Sequence, residues 1–438
     1  MKHLIIIPFL ITQISYCNYM LLVPGKRPKS AIDKLNFGKI KDIKEIPQNL
    51  FYYARQIEPI PKAKQLEYDL EYNKEYFKPW EIAAINRPDN ELFWQIKFIE
   101  KRDIYSDTKS LITEPIKKYW IKNSNFKDFN KVKLKAITIK HSNIRAFPTM
   151  VGAYVDPQKP THWFPFDYFQ YSAVYPNTPL FISHYSLDKR WAFVATPFVS
   201  GWIKREDIAL VDDKFIKEFK TNSYAVTIKD DLWLIKNGKR VSLVKLGTIF
   251  PLKNGIPIVA TKVRDRAEII KLKVVPKKLI AKKPIDFNVK NVALIAKELY
   301  NEPYGWGGKM QTRDCSATTR DFFAPFGIFL PRNSSNQAKR GKQIYIKKLP
   351  KELKKETIIK EAKPFRSLVF VPGHIGLYLG KYKNEPVIMH TYWGIRLNDW
   401  SKFPLSRTII TTTEPGRELP NIREKSKLIN TLKYIINF

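Results

Sequence analysis

The sequence predicts a multidomain α+β protein. It comprises a helical N-terminal domain over residues 25–130, two small β-barrels over 135–210 and 211–275, a mixed α+β domain over 285–415, and a helical tail over 416–438. Three observations carry this prediction. At 438 residues the chain has room for about three domains of roughly 150 residues each. Near residue 135 the texture changes from helical spacing to short β-type runs between turn clusters. Nine of the 17 glycines fall between Gly305 and Gly394, which marks a region built unlike the rest.

Taken in order, residues 1–17 have the pattern of an export signal peptide. Lys2 and His3 make a short polar start, and Leu4 to Ile14 is apolar apart from Pro8, Thr12 and Gln13. Ser15-Tyr16-Cys17 then puts small residues at the first and third positions before a cut after Cys17. A lipidated Cys17 is the first alternative and a route to a membrane, although Tyr16 is bulkier than such processing favours, and a retained N-terminal anchor is the second. No apolar run reaches the about 18 residues that a transmembrane helix needs. The expected location is therefore the periplasm or cell envelope. Cleavage after Cys17 leaves Cys315 as the single thiol of an exported chain, with no partner for an intramolecular disulfide.

Export changes the meaning of the charge. Lys and Arg number 77 against 41 Asp and Glu, a formal +36. Anionic cell-wall polymers are then natural partners, and nucleic acid is not expected, since no zinc finger, RNA-binding aromatic motif or sustained basic helix occurs.

Residues 25–130 carry helix-like runs around Asp69 to Tyr76 and Glu91 to Glu100. Leu134 to Lys140, Pro179 to Ser183 and Trp191 to Thr196 are the β-type runs of the first barrel. Ser223 to Ile228, Leu232 to Lys236 and Arg240 to Lys245 belong to the second, with Asn237-Gly238 as a hairpin turn. Pro276-Lys277-Lys278 and Lys282-Lys283-Pro284 have the composition of a linker. Val289 to Leu299 follows as a helix whose apolar residues recur on one face. The spacing of Leu428, Leu432, Ile435 and Ile436 predicts a last helix packed on the body.

The glycine-dense region holds the chemistry. Asp314 is a natural N-cap for a helix that begins with Cys315 and turns Phe322 and Phe323 to the core. A cysteine there feels the positive end of the helix dipole, which favours its thiolate, and free N–H groups can receive an oxyanion. His374 to Gly380 and Pro386 to Thr391 are predicted to pair as antiparallel strands. A turn near Lys383 sets His390 opposite Gly376, on the same face as His374. One imidazole can then serve the sulfur while the other fixes its tautomer. Zinc held by Cys315, His374 and His390 lacks the paired-cysteine or His-Glu-x-x-His spacing that such sites show, so neither a metal nor another cofactor is expected.

Tyr304-Gly305-Trp306-Gly307-Gly308, Asp314-Cys315-Ser316, Leu330-Pro331-Arg332-Asn333-Ser334, Gly373-His374-Ile375-Gly376 and Met389-His390 together resemble the motifs of the NlpC/P60 cysteine peptidases. Upstream, Asn143 to Thr149, Phe166 to Gln170, Ser186-Leu187-Asp188 with Trp191, and Gly201-Trp202 are similar to the bacterial SH3-type domains of one branch of that family. The resemblance implies a papain-like NlpC/P60 catalytic domain, two SH3-like barrels, and cleavage of the γ-D-glutamyl–meso-diaminopimelate bond in peptidoglycan stem peptides. It further implies that Cys315 attacks, His374 acts as base and then acid, and His390 orients His374. By the same resemblance Asp314 meets the amine of the substrate's L-alanine, a role that competes with its N-cap role. Ser316, Ser334 and Trp306 shape the D-glutamyl pocket, Tyr304 contacts substrate or buttresses its loop, and Asp167 and Tyr168 are weaker candidates on the SH3-like wall. Ala317 stands where the family usually has glycine, a methyl that would narrow the cleft. Two other readings are open at this point: a non-catalytic wall-binding or scaffold protein, and a papain-like amidase or acyltransferase acting on another envelope substrate.

Overall fold

The structure, a computed structural model, describes residues 19–35, 37–86, 93–159 and 162–438. The expected signal peptide and Cys17 lie outside the described residues.

The β-type runs fold close to their expected bounds, as Pro179–Tyr185, Trp191–Ala195, Tyr224–Thr227, Leu232–Lys236 and Lys239–Val244. Asn237 and Gly238 take left-handed φ of 50° and 73°, the pair of positive values that lets a two-residue turn follow the right-handed strand twist. The barrels do not separate cleanly, because fifteen strands join in one hydrogen-bonded network. Two apolar cores remain distinct within it. One gathers Ile144, Leu180, Ile182, Val194 and Ile203, and the other Leu234, Val244, Phe250, Val259 and Leu272.

Two segments depart from their composition. Tyr19–Pro24 is a strand, antiparallel to Leu232–Lys236 and parallel to Arg266–Val274, and it adds Met20 and Leu22 to the second core. The expected linker contains the strand Ile280–Lys283, paired with Tyr224–Thr227. Lys283 is buried there in an ion pair with Asp69, 4.0 Å from the centre of the Tyr72 ring. Local sequence says solvent, but a carboxylate from a distant helix makes burial of the ammonium tolerable.

The expected N-terminal helical domain has no core of its own among the described residues. Tyr53, Tyr72 and Phe77 share a core with Phe322 and Leu377 of the C-terminal domain, whereas Ile99, Ile112 and Trp120 pack with Phe147 and Phe169 of the first barrel. The segment straps the domains together. Gln65 donates to the carbonyls of Ile285 at 2.6 Å and Phe326 at 3.2 Å, and the Trp80 indole N–H donates to the Ala136 carbonyl at 2.8 Å.

The C-terminal domain sets the helices Val289–Leu299 and Cys315–Phe323 against a six-stranded sheet. Its order is Lys342–Tyr345, Tyr434–Asn437, Ser367–Val371, His374–Tyr382, Glu385–Arg396, Lys402–Thr412, with every neighbouring pair antiparallel. The tail therefore corrects its expectation. Only Leu428–Thr431 is α-helical, after a 3-10 turn over Glu424–Ser426, and Tyr434–Asn437 is an inner strand of this sheet. Ile435 and Ile436 are fully buried in different cores, one on each face. Adjacent apolar residues in a strand covered on both sides mimic the spacing of a helix face. Residues 416–438 thus belong to the domain they follow.

Candidate active site

Helix Cys315–Phe323 starts as its sequence dictates: the Asp314 carboxylate accepts the Ala317 N–H at 2.9 Å, which caps the first turn. Cys315 occupies that turn, where the backbone amides of Ile375 and Ser316 favour its thiolate. His374 begins the strand that carries Ile375. Leu377 pairs with Met389, and continuing that register puts Gly376 against His390. A Cβ on Gly376 would come within 3.2 Å of the His390 Cβ. The two imidazoles meet as the alternation predicts, with His374 Nε2 2.8 Å from His390 Nδ1.

The partners beyond the pair assign the protons. Thr411 donates its hydroxyl hydrogen to the Thr412 carbonyl at 2.7 Å, so its oxygen accepts from His390 Nε2 at 3.1 Å. His390 Nδ1 is then an acceptor, and His374 Nε2 donates to it. That leaves the lone pair of His374 on Nδ1, the nitrogen free to take a proton.

The charge state differs from the expected thiolate. Burial, and then the negative charge of Asp314, push the Cys315 thiol up to about 12. Burial, and then the Lys402 ammonium, bring His374 down to about 3, while burial and His374 take His390 well below its usual value. In the free protein the thiol and the imidazole are thus both neutral. Desolvation and a neighbouring carboxylate outweigh the helix dipole.

Two cavities meet at the sulfur. The first, about 690 Å³, is lined by Asp314, Ser316, Arg332, Ser334 and Asn336 of this domain and by Trp94, Tyr168, Tyr171 and Phe198 from the strap and first barrel. The second, about 600 Å³, is lined by His374, Tyr392, Trp393, Arg396 and Lys402. Cys315, Tyr304, Trp306 and Gly373 line both and mark the junction. Cys315 is 9% exposed and reachable from either side. Phe166 of the first barrel lies 5.4 Å from the rings of Trp306 and Trp393, edge to face, and so helps hold the junction.

Of the expected site residues, Ser316, Ser334, Trp306 and Tyr304 all reach a cavity. Tyr168 lines the first, whereas Asp167 is fully buried in ion pairs with Arg145 and Lys309 and holds the barrel to the Trp306 loop. Ala317 lines neither cavity, so its methyl does not narrow the cleft.

Sequence reasoning missed Arg332 as a site residue. Its guanidinium grips Asp314 through both oxygens, at 3.0 and 2.6 Å, and donates to the Ser316 hydroxyl at 2.8 Å. Burial opposes ionisation of Asp314, but Arg332 holds its carboxyl below the usual range. The Gly307 N–H adds a further bond to Asp314 at 3.0 Å, so the N-cap role is occupied and the carboxylate is nearly saturated. The available signal was the position of Arg332 inside the Leu-Pro-Arg-Asn-Ser run. Among the described residues, no three His, Cys, Asp or Glu side chains converge as a metal site requires.

A helix-head cysteine that lines one cavity with a strand-borne histidine is an arrangement that thiol-dependent hydrolases use. Residues 301–408 match the NlpC/P60 family, residues 4–129 its N-terminal stabilising domain, and residues 153–204 an SH3 domain of the SH3b1 type. The chain thus carries an NlpC/P60 domain and is an enzyme of cysteine-endopeptidase type. Its fold is that of an NlpC/P60 endopeptidase from Photobacterium damselae subsp. piscicida, 23% identical, with a TM-score of 0.82 over 90% of this chain and 97% of that one. An NlpC/P60 family protein from Bacillus cereus is 12% identical, with a TM-score of 0.46 over 69% of this chain and 99% of that one. No curated protein matches the chain.

Proposed function

We propose that this protein is an exported peptidoglycan hydrolase that cuts the γ-D-glutamyl–meso-diaminopimelate bond of stem peptides through Cys315, His374 and His390. The observation that carries this reading is the first cavity, which the Asp314 carboxylate, the Arg332 guanidinium and the Ser316 and Ser334 residues line together with the nucleophile. L-alanyl-γ-D-glutamate has the matching charges, a free ammonium and an α-carboxylate. The substrate exchanges with the internal pair, its ammonium meeting Asp314 and its carboxylate meeting Arg332, Ser316 and Ser334. Trp94, Tyr168 and Phe198 close the far end, which favours stems with a free N-terminus.

In the reaction, His374 Nδ1 takes the thiol proton as sulfur attacks the γ-carbonyl, and N–H groups at the helix head receive the oxyanion. The imidazolium, held by His390, returns the proton to the departing diaminopimelate amine. Water then hydrolyses the thioester, with His374 again as base. The transfer is concerted with attack, because the resting thiol is neutral.

Mass spectrometry of L-Ala-γ-D-Glu-meso-diaminopimelate treated with the signal-less protein tests the assignment. L-Ala-D-Glu and a diaminopimelate with a new free amine are expected. An intact peptide, or a cut elsewhere, rejects this bond. The neutral thiol is the one observation that favours the wall-binding reading, and retained peptide binding without turnover would select it.

A further inference from the structure

Four cations from three stretches of chain line the second cavity, which the peptidase reading puts on the leaving-group side of Cys315: Lys347, Arg396, Lys402 and Lys425. Its lining contains no aspartate or glutamate. Among the described residues none of the four has a carboxylate within 4.0 Å. Arg396 and Lys402 are half-buried and Lys347 and Lys425 exposed, whereas Lys355 and Lys245, more deeply buried, are matched by Glu385 and Glu414 and by Asp230, Asp231 and Glu302. Lys402 is held near His374 with its ammonium 5.4 Å from the centre of the Phe166 ring, and Arg396 sits 5.6 Å from the Trp400 ring. Burial and then Arg396 lower the Lys402 ammonium to about 8. Unopposed like charges in a half-enclosed cleft repel one another, and an anion relieves that cost.

We propose that this cavity is a carboxylate-binding subsite for the leaving fragment, with Arg396 and Lys402 as its specificity-determining residues. The proposal rests on the peptidase reading above and deepens it. A stem tripeptide leaves with two carboxylates on its diamino acid, and a tetrapeptide leaves with one there and one on the terminal D-residue. Each can form charge-assisted hydrogen bonds with the guanidinium and ammonium groups of this wall. Amidation removes the charge while keeping the shape, so the subsite rejects amidated stems. A bound carboxylate also offsets the field of Lys402, which depresses proton affinity at His374, so the correct leaving group strengthens the base.

The test compares L-Ala-γ-D-Glu-meso-diaminopimelate as the free acid with its dicarboxamide on the diamino acid, for the wild-type protein, Arg396→Gln and Lys402→Gln. The wild type is expected to favour the acid by about 10- to 100-fold in kcat/KM, and each variant to shrink that ratio at least several-fold. Equal cleavage of both peptides by the wild type, or an unchanged ratio in both variants, overturns the subsite while leaving the peptidase intact. Cleavage of neither peptide overturns the peptidase reading, and the subsite falls with it.

Discussion

The two cavities that meet at Cys315 are similar in size, about 690 and 600 Å³, yet opposite in electrostatic design. In the first, Asp314 and Arg332 are already paired, so their desolvation is compensated before any ligand arrives. Such a site rewards a ligand that brings both charges and can exchange with the pair. In the second, four cations stand without a carboxylate, and a net negative ligand is what lowers their energy. In the proposed reading, one scissile bond lies between a charge-balanced acyl side and a cationic leaving side. The predictions below break or sharpen that contrast.

The largest effect belongs to the junction. Cys315→Ala and His374→Ala are each expected to lower stem-peptide hydrolysis by about 10⁴-fold or more, because the nucleophile and base act as a unit. Calorimetry with Cys315→Ala should still register the peptide, since both cavities keep their charges. Turnover surviving in Cys315→Ala would remove the sulfur from the mechanism.

Next comes the balanced side. Arg332→Gln strips the counter-charge from a buried carboxylate and is expected to cost about 3–5 kcal/mol of stability in denaturant unfolding. The loss in kcat/KM should reach about 10²–10³-fold and should fall alike on the free-acid and amidated peptides. That last feature separates it from Arg396→Gln, whose loss depends on the leaving group. If Arg332→Gln instead changed the acid-to-amide ratio, the division of labour between the cavities would be wrong.

The same contrast divides what was legible in the sequence. An N-cap aspartate directly before a cysteine, a two-residue alternation along His374 to Gly380, and a turn near Lys383 are local rules. They sufficed to start the helix at Cys315 and to bring His374 and His390 together. The pairings that set the charges are tertiary. Arg332 meets Asp314 across 18 residues of chain, and the cations of the second cavity come from three separate stretches. The tail misled for a related reason, since Ile435 and Ile436 serve two different cores that only the sheet reveals. The thiol's state was also out of reach. Helix position argues for a thiolate, but burial and Asp314 are supplied by the surroundings.

That protonation state gives a smaller, sharper test. With the thiol at about 12 in the free protein, only a minute fraction is ionised at neutral pH, and alkylation by iodoacetamide depends on that fraction. The rate is expected to climb about tenfold per pH unit from pH 7 to 10, with no plateau in the acidic range. A preformed thiolate–imidazolium pair would instead give a flat, fast region near neutrality. Such a region would place the paired charges in the resting enzyme and weaken the case that substrate strengthens the base.

The smallest effect expected is at Thr411, behind the histidines. Its oxygen is the acceptor that commits His390 to the Nε2–H tautomer, and through His390 it leaves the His374 lone pair on Nδ1. Thr411→Val keeps the volume and removes the acceptor. His390 is then free to carry its proton on Nδ1, which turns His374 Nε2 into an acceptor and takes the lone pair away from the sulfur. A drop of about tenfold in kcat is expected, with KM held, because neither cavity changes its charges. Thr411→Ser restores the oxygen and should restore kcat. A merely structural role for Thr411 predicts a different pattern, with lower stability, no selective rescue by serine, and kcat and KM moving together.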